Sequence, residues 1–162
     1  MKVLNKSALA LAIIGLIIFV NCGPGGGSDD NPPNPFITQS QLFTGNWTIA
    51  TDGALLEGVP EAGYDGMTLN VTGDENGGTI TATGAGSATV WPASSGWQFS
   101  SSGGDTSSPA AQYVLRNADM VVMGVTVTND ILELTFLIPE TAVRASGISG
   151  NWTFRFESSG GN

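Results

Sequence analysis

The chain has 162 residues, enough for one ordinary domain and a short leader. Charged residues make up only 12%, with 14 carboxylates against 5 cations, a net charge of -9, no histidine and one cysteine. An acidic surface argues against nucleic-acid binding. The lack of histidine removes the commonest general base and metal ligand, and a lone thiol leaves no intrachain disulfide or thiolate cluster.

The N-terminus, "MKVLNKSALALAIIGLIIFVNC", carries both lysines, Lys2 and Lys6, ahead of an unbroken apolar run from Ala8 to Val20. That run is far shorter than the roughly twenty residues that span a bilayer. It has the form of a secretory signal peptide, with Cys22 directly after it. The stretch "FVNC", Phe19 to Cys22, resembles the signal of a bacterial lipoprotein. Asn21 stands where a small residue is usual, and Phe19 where leucine is usual. The resemblance implies cleavage between Asn21 and Cys22, lipidation of Cys22, and a place in the cell envelope, outer-membrane anchored and either periplasmic or surface-exposed. An ordinary signal peptide with a stray thiol and an uncleaved anchor are the alternatives.

Residues 22–41 are expected to form a flexible tether, because "GPGGGSDDNPPNP" holds no apolar anchor to offset its ordering entropy. Ser28-Asp29-Asp30 resembles the acidic export signal of surface lipoproteins in Bacteroidota. The same three residues read equally well as a solvated linker.

From residue 42 to 158 the apolar residues recur at every second position, which predicts strands. "NWTIA" aligns Trp47 with Ile49, and "MTLNVTG" aligns Met67, Leu69 and Val71. "GTITATG" aligns Ile80 with Ala82, and "GWQFS" aligns Trp97 with Phe99. "QYVLRN" is undecided between Tyr113 with Leu115 and the reverse face. "MVVMGVTVTND", "ILELTFLIPE" and "NWTFRFES" align Val121–Val127, Leu132–Ile138 and Trp152–Phe156 in steps of two. Threonines fill many of the opposite positions, as on an antiparallel sheet with one wet face. "GDENGG" and "TND" supply hairpin turns. Eight such strands predict an all-β domain, most simply an antiparallel up-and-down barrel; a β-sandwich is the alternative.

"GNWT" occurs twice, at Gly45–Thr48 and Gly150–Thr153. The residues flanking the copies do not align: the first runs into the loop-forming "ATDG", the second into an aromatic strand. A shared structural job is expected, with both copies on paired first and last strands that close the barrel. A G-x-W on the first strand, an eight-strand meander and an aromatic last strand resemble the lipocalin-like domains of bacterial lipoproteins. That resemblance implies that Trp47 lies across the closed end and that a basic residue packs on it. Arg155 is the candidate for cation–π stacking, although its parity opposes Trp152, Phe154 and Phe156; Arg144 is the fallback. Gly45, Trp47, Gly150, Trp152 and Arg155 are therefore the expected closure residues.

No catalytic, cofactor or metal site is expected. A serine nucleophile has no histidine to activate it, and Asp74-Glu75 reads as a solvated turn. The barrel either binds a small apolar ligand or is filled by its own side chains, in which case it is a structural or interaction module of the cell surface. A ligand mouth, if there is one, is expected at the loops around Trp91 and Ser101–Pro109. No protein partner is legible.

Overall fold

The computed structural model describes residues 32–128, 130–140 and 148–160. Cys22, Asn21 and Arg144 lie outside the described residues, so the leader and the fallback arginine are not placed.

A short helix, α1 (Pro35–Phe43), precedes the strands. The Oδ1 of Asn34 accepts the Phe36 N–H at 3.0 Å, and Pro35 occupies the first turn, where its missing N–H costs nothing. Thr44 turns extended and ends the helix. The segment expected to be a tether over 22–41 is therefore helical from Pro35 onward. The helix has a job that composition hides. Phe43 packs edge-on against Trp97 at 5.2 Å between ring centroids, and Phe36 sits 5.1 Å from Phe99.

β1 (Gly45–Leu56) is long and irregular. Its partners shift register between Ile49 and Ala54, where Asp52 adopts a φ of 53°. Sequence alone reads this stretch as leaving the strand. In the fold it is a bulge inside the strand, and Gly53 permits it: a Cβ there would meet the Arg155 carbonyl at 2.5 Å and the Ala50 carbonyl at 2.7 Å. The bend lets β1 serve neighbours on both sides.

β2 (Val59–Pro60) extends β1 as a two-residue ribbon, and a 3-10 turn at Ala62–Tyr64 follows. The remaining strands form a meander: β3 (Thr68–Asp74), β4 (Gly77–Thr83), β5 (Ser94–Ser100), β6 (Ala110–Arg116), β7 (Val121–Thr128), β8 (Ile131–Ile138) and β9 (Gly150–Ser158). Each pairs antiparallel with the next, β1 pairs with β3, and β9 returns to β1. Eight strands thus close on themselves as an all-β, lipocalin-like up-and-down barrel. The sandwich alternative falls, because one sheet closed by β1–β9 leaves no second sheet to pack against.

The expected inward faces all point inward. Leu69, Val71, Ile80, Trp97, Phe99, Met123, Leu132, Leu134, Phe136, Trp152, Phe154 and Phe156 are buried in one cluster. On the outside, Asn70 and Thr81 are cross-strand partners, and the side chains of Thr68 and Thr83 meet at 2.6 Å. This apolar-in, polar-out arrangement is the reverse of a lipid-facing barrel wall. Among the described residues no helix is long and apolar enough to cross a membrane.

Registers define two ends. The helix end carries α1, the β3–β4 turn, residues 101–109 and the β7–β8 turn. The far end carries the β1–β3 connection with Tyr64, residues 84–93 with Trp91, and the β6–β7 turn with Asp119.

Candidate functional site

The two GNWT copies lie on the paired strands β1 and β9, as expected, but not side by side. The strands run antiparallel, so Trp47 stands opposite Ser158 near the helix end and Trp152 stands opposite Leu56 near the far end. Each copy makes the same local structure. Gly45 and Gly150 adopt φ of 148° and 134°, values that side chains disfavour. Each tryptophan then folds its indole N–H back onto the carbonyl four residues earlier: Trp47 to Phe43 at 3.0 Å, and Trp152 to Ile148 at 2.9 Å. Each asparagine carbonyl accepts from the neighbouring strand or its extension, Asn46 from Ser159 at 2.8 Å and Asn151 from Glu57 at 2.9 Å. The repeat is a strand-entry device, used once at each end of the barrel seam. Trp47→Phe and Trp152→Phe lose the indole bond and part of the buried ring volume. Each is expected to lower stability by about 1–3 kcal/mol, and by similar amounts, in urea denaturation.

Arg155 does not stack on Trp47. It points outward on β9 and donates through Nε to Glu133 at 2.7 Å, with its side chain 56% exposed. The strand alternation that buries Phe154 and Phe156 forces this, since Arg155 lies between them.

Among the described residues the buried cation is Arg116, at the end of β6. Register settles the ambiguity of that strand: Val114 pairs with Phe99 and Met123, and Arg116 with Trp97 and Val121, so the even positions face inward. Leu115 is buried outside the main core. The Arg116 guanidinium is 0% exposed. Its Nε and Nη2 donate to the two carboxylate oxygens of Asp119 at 2.9 and 2.6 Å, and Nη2 also donates to the Val90 carbonyl at 2.9 Å. Its central carbon lies 4.7 Å from the Trp91 ring centroid and 5.1 Å from that of Phe136. Paired and stacked in this way, a charge is tolerated out of water.

Trp91 does not line a mouth. It is 1% exposed and points into the barrel, meeting Phe136, Phe154 and Phe156 edge-on at 5.6, 5.4 and 6.5 Å. The two loops expected to form one mouth lie at opposite ends. Residues 101–105 instead make a tight turn at the helix end, where Ser101 Oγ accepts the Gly103 and Asp105 N–H groups at 3.2 and 3.1 Å. Hydrogen bonds from Ser107 hold the exposed Asp105 carboxyl below its usual range.

Tyr64 plugs the far end beside Trp152 and Phe154, with ring centroids at 5.3 and 5.1 Å. Burial, with a smaller push from Glu61, raises its phenol to about 12. An unfolded tyrosine ionises near ~10. Between those values the unfolded chain releases a proton that the folded barrel retains, so stability is full below the lower value and falls as pH rises through the window. The expected loss reaches about 2–3 kcal/mol at the upper limit. Tyr64→Phe should flatten that alkaline slope in denaturant melts; an unchanged slope would exclude Tyr64 as its source.

The cavities described lie outside the barrel core. A groove of about 680 Å³ runs against the helix end, lined in part by Leu42, Asn46, Val127 and Asp130. One of about 290 Å³ follows the outer face over Thr68, Asn70 and Thr81, and one of about 90 Å³ sits beside Tyr64. In the acidic turn, Asp74 Oδ1 accepts the Asn76 N–H at 2.8 Å, a local turn bond.

Neither a protein-family model, nor a curated protein, nor a solved structure matches this chain.

Proposed function

We propose that this chain is a lipid-anchored lipoprotein of the bacterial envelope, and that its lipocalin-like domain is a self-filled barrel serving as a structural or interaction module, not as an enzyme. One observation carries the choice against small apolar ligand carriage. Trp91, Phe136, Phe154 and Phe156 meet across the interior where an apolar ligand would lie. An eight-stranded barrel is just wide enough to be filled by side chains or to hold one small ligand, and here the side chains take the space. The anchoring reading rests on the leader: Lys2 and Lys6, the short apolar run, and Cys22 directly after it. A diacylglycerol on Cys22 supplies two chains, enough for stable attachment. The non-enzymatic reading rests on the absence of histidine from the sequence.

Two measurements test the two halves separately. Mass spectrometry of the mature protein from a native host is expected to find Cys22 as a diacylated N-terminus. A first residue other than Cys22, or an unmodified thiol there, ends the anchoring proposal. A fluorescent fatty-acid probe is expected to give no saturable signal above a denatured control. Stoichiometric, displaceable binding would restore ligand carriage.

A further inference from the structure

The helix α1 has an outward face that nothing among the described residues covers. Phe36 and Phe43 turn into the barrel, onto Phe99 and Trp97. Ile37 and Leu42 stay 40% and 47% exposed, and Thr38 and Gln41 are exposed between them. At the same end of the barrel Ile131, the first residue of β8, is 37% exposed. No residue of Pro35–Phe43 is charged, in a chain of net charge -9. The solvent side of a surface helix ordinarily carries charges. The other exposed large apolar residues are different. Val59 lies two positions from both Glu57 and Glu61, Met120 follows Asp119, and Leu137 stands opposite Asn151. Apolar residues scattered singly among polar ones are ordinary surface.

We propose that this face of α1 docks the domain on the surface of a bilayer of low net charge, such as zwitterionic phospholipid presents. Chain length points to that occupant. Twelve residues, Gly23 to Asn34, separate Cys22 from Pro35, where α1 begins. Whatever course they take, that length of chain reaches at most about 45 Å. The proposal rests on the reading that Cys22 carries the lipid. Given that anchor, α1 is the first element of the domain beside the membrane, at an effective concentration on the order of millimolar. A face too weak to hold a bilayer from solution is then enough, with Ile37 and Leu42 entering the headgroup boundary. Charge sets the class of lipid. The turns at this end and their flanks carry Asp74, Glu75, Asp105 and Asp130 and, among the described residues, no lysine or arginine. Such a surface is repelled by anionic headgroups and is indifferent to zwitterionic ones.

Cys22 is the only thiol, so the anchor can be supplied chemically. The chain from Cys22 onward, which keeps the whole compact unit Pro32–Asn162, is coupled to a maleimide phospholipid in phosphatidylcholine vesicles. Leu42→Trp and Leu137→Trp each add one indole to the same four native ones, the first on α1 and the second near the far end. With phosphatidylcholine brominated on its acyl chains, the added emission of Leu42→Trp is expected to be largely lost and that of Leu137→Trp kept. Thr38→Glu with Gln41→Glu places charge at exposed positions of α1 and leaves its core-facing residues alone. That pair should restore the Leu42→Trp emission, with circular dichroism confirming the fold. Added phosphatidylglycerol at low salt should restore it too. The proposal is overturned if the Leu42→Trp indole is quenched no more than the Leu137→Trp one, or if the two glutamates leave its quenching unchanged. Quenching that grows with anionic lipid also overturns it. So does a Leu42→Trp emission that shifts with protein density on unbrominated vesicles, which would mean that a second copy covers the face. Because the anchor is installed, a failure to dock is distinct from a failure of Cys22 to be lipidated, which mass spectrometry reads.

Discussion

Arg116→Ala is expected to destabilise the barrel by about 2–5 kcal/mol, the range for emptying the place of a large buried side chain. Three losses combine. Asp119 loses two charge-assisted bonds, the Val90 carbonyl loses its donor, and the slot between Trp91 and Phe136 is left empty. Arg155 is the internal control. Its bridge to Glu133 is 2.7 Å long, against 2.6 Å for Arg116 to Asp119, so distance does not separate the two. Exposure does: the Arg155 side chain is 56% exposed and that of Arg116 0%. A surface pair contributes about 0–1 kcal/mol, because water and side-chain entropy offset most of the attraction. Arg155→Ala should therefore fall in that smaller range. Arg116→Met should recover part of the loss by refilling the slot, since Asp119 is partly exposed and can rehydrate. Urea denaturation monitored by circular dichroism gives all three values. If Arg116→Ala and Arg155→Ala cost the same, the guanidinium is not buried as described.

Phe154→Ala carries the second large effect, about 3–5 kcal/mol. Phe154 is 0% exposed and sits where the aromatic rings converge. It stacks on Phe136, Trp152 and Phe156 at 5.7, 5.5 and 6.2 Å between centroids. Tyr64 and Trp91 meet it edge-on at 5.1 and 5.4 Å. Truncation removes transfer energy and leaves a cavity that rings held by neighbouring strands cannot collapse to fill. Leu137→Ala, at an outward position 56% exposed, should change stability by no more than about 0.5 kcal/mol. Equal costs at the two positions would mean that the interior is not packed, and the ligand-carrying reading of the barrel would then be favoured over the filled one.

Most of the strand content was legible because burial on a closed sheet writes itself as alternation. The inward sets from Leu69 to Phe156 followed from period two, with threonine marking much of the wet face. The helix α1 was not legible. Its two core-facing phenylalanines, Phe36 and Phe43, stand at either end of a short segment full of turn-formers, too few for a helical period to show. The bulge in β1 leaves no trace in the sequence, because Thr51-Asp52-Gly53 has the composition of a loop. Only the crossing of β9 close over Gly53 makes it part of a strand. The inward face of β6 is undecided in the sequence, and only the register with β5 and β7 turns Val114 and Arg116 inward. Trp91 lies on a loop, where no periodicity predicts which way a side chain points.

The all-β fold class, the inward faces of most strands and the pairing of the first and last strands are therefore legible in the chain. Each of these follows from local alternation, turn chemistry and the need to leave no open edge. That the GNWT copies work at opposite ends of one seam, that α1 and Tyr64 plug the two ends, that Arg155 faces outward to Glu133, and that Arg116 enters the core beneath Trp91 emerge only from the folded contacts. Those outcomes depend on registers and on loop-borne rings meeting across the barrel. Such contacts join residues far apart in the chain, and they leave no periodic trace in it.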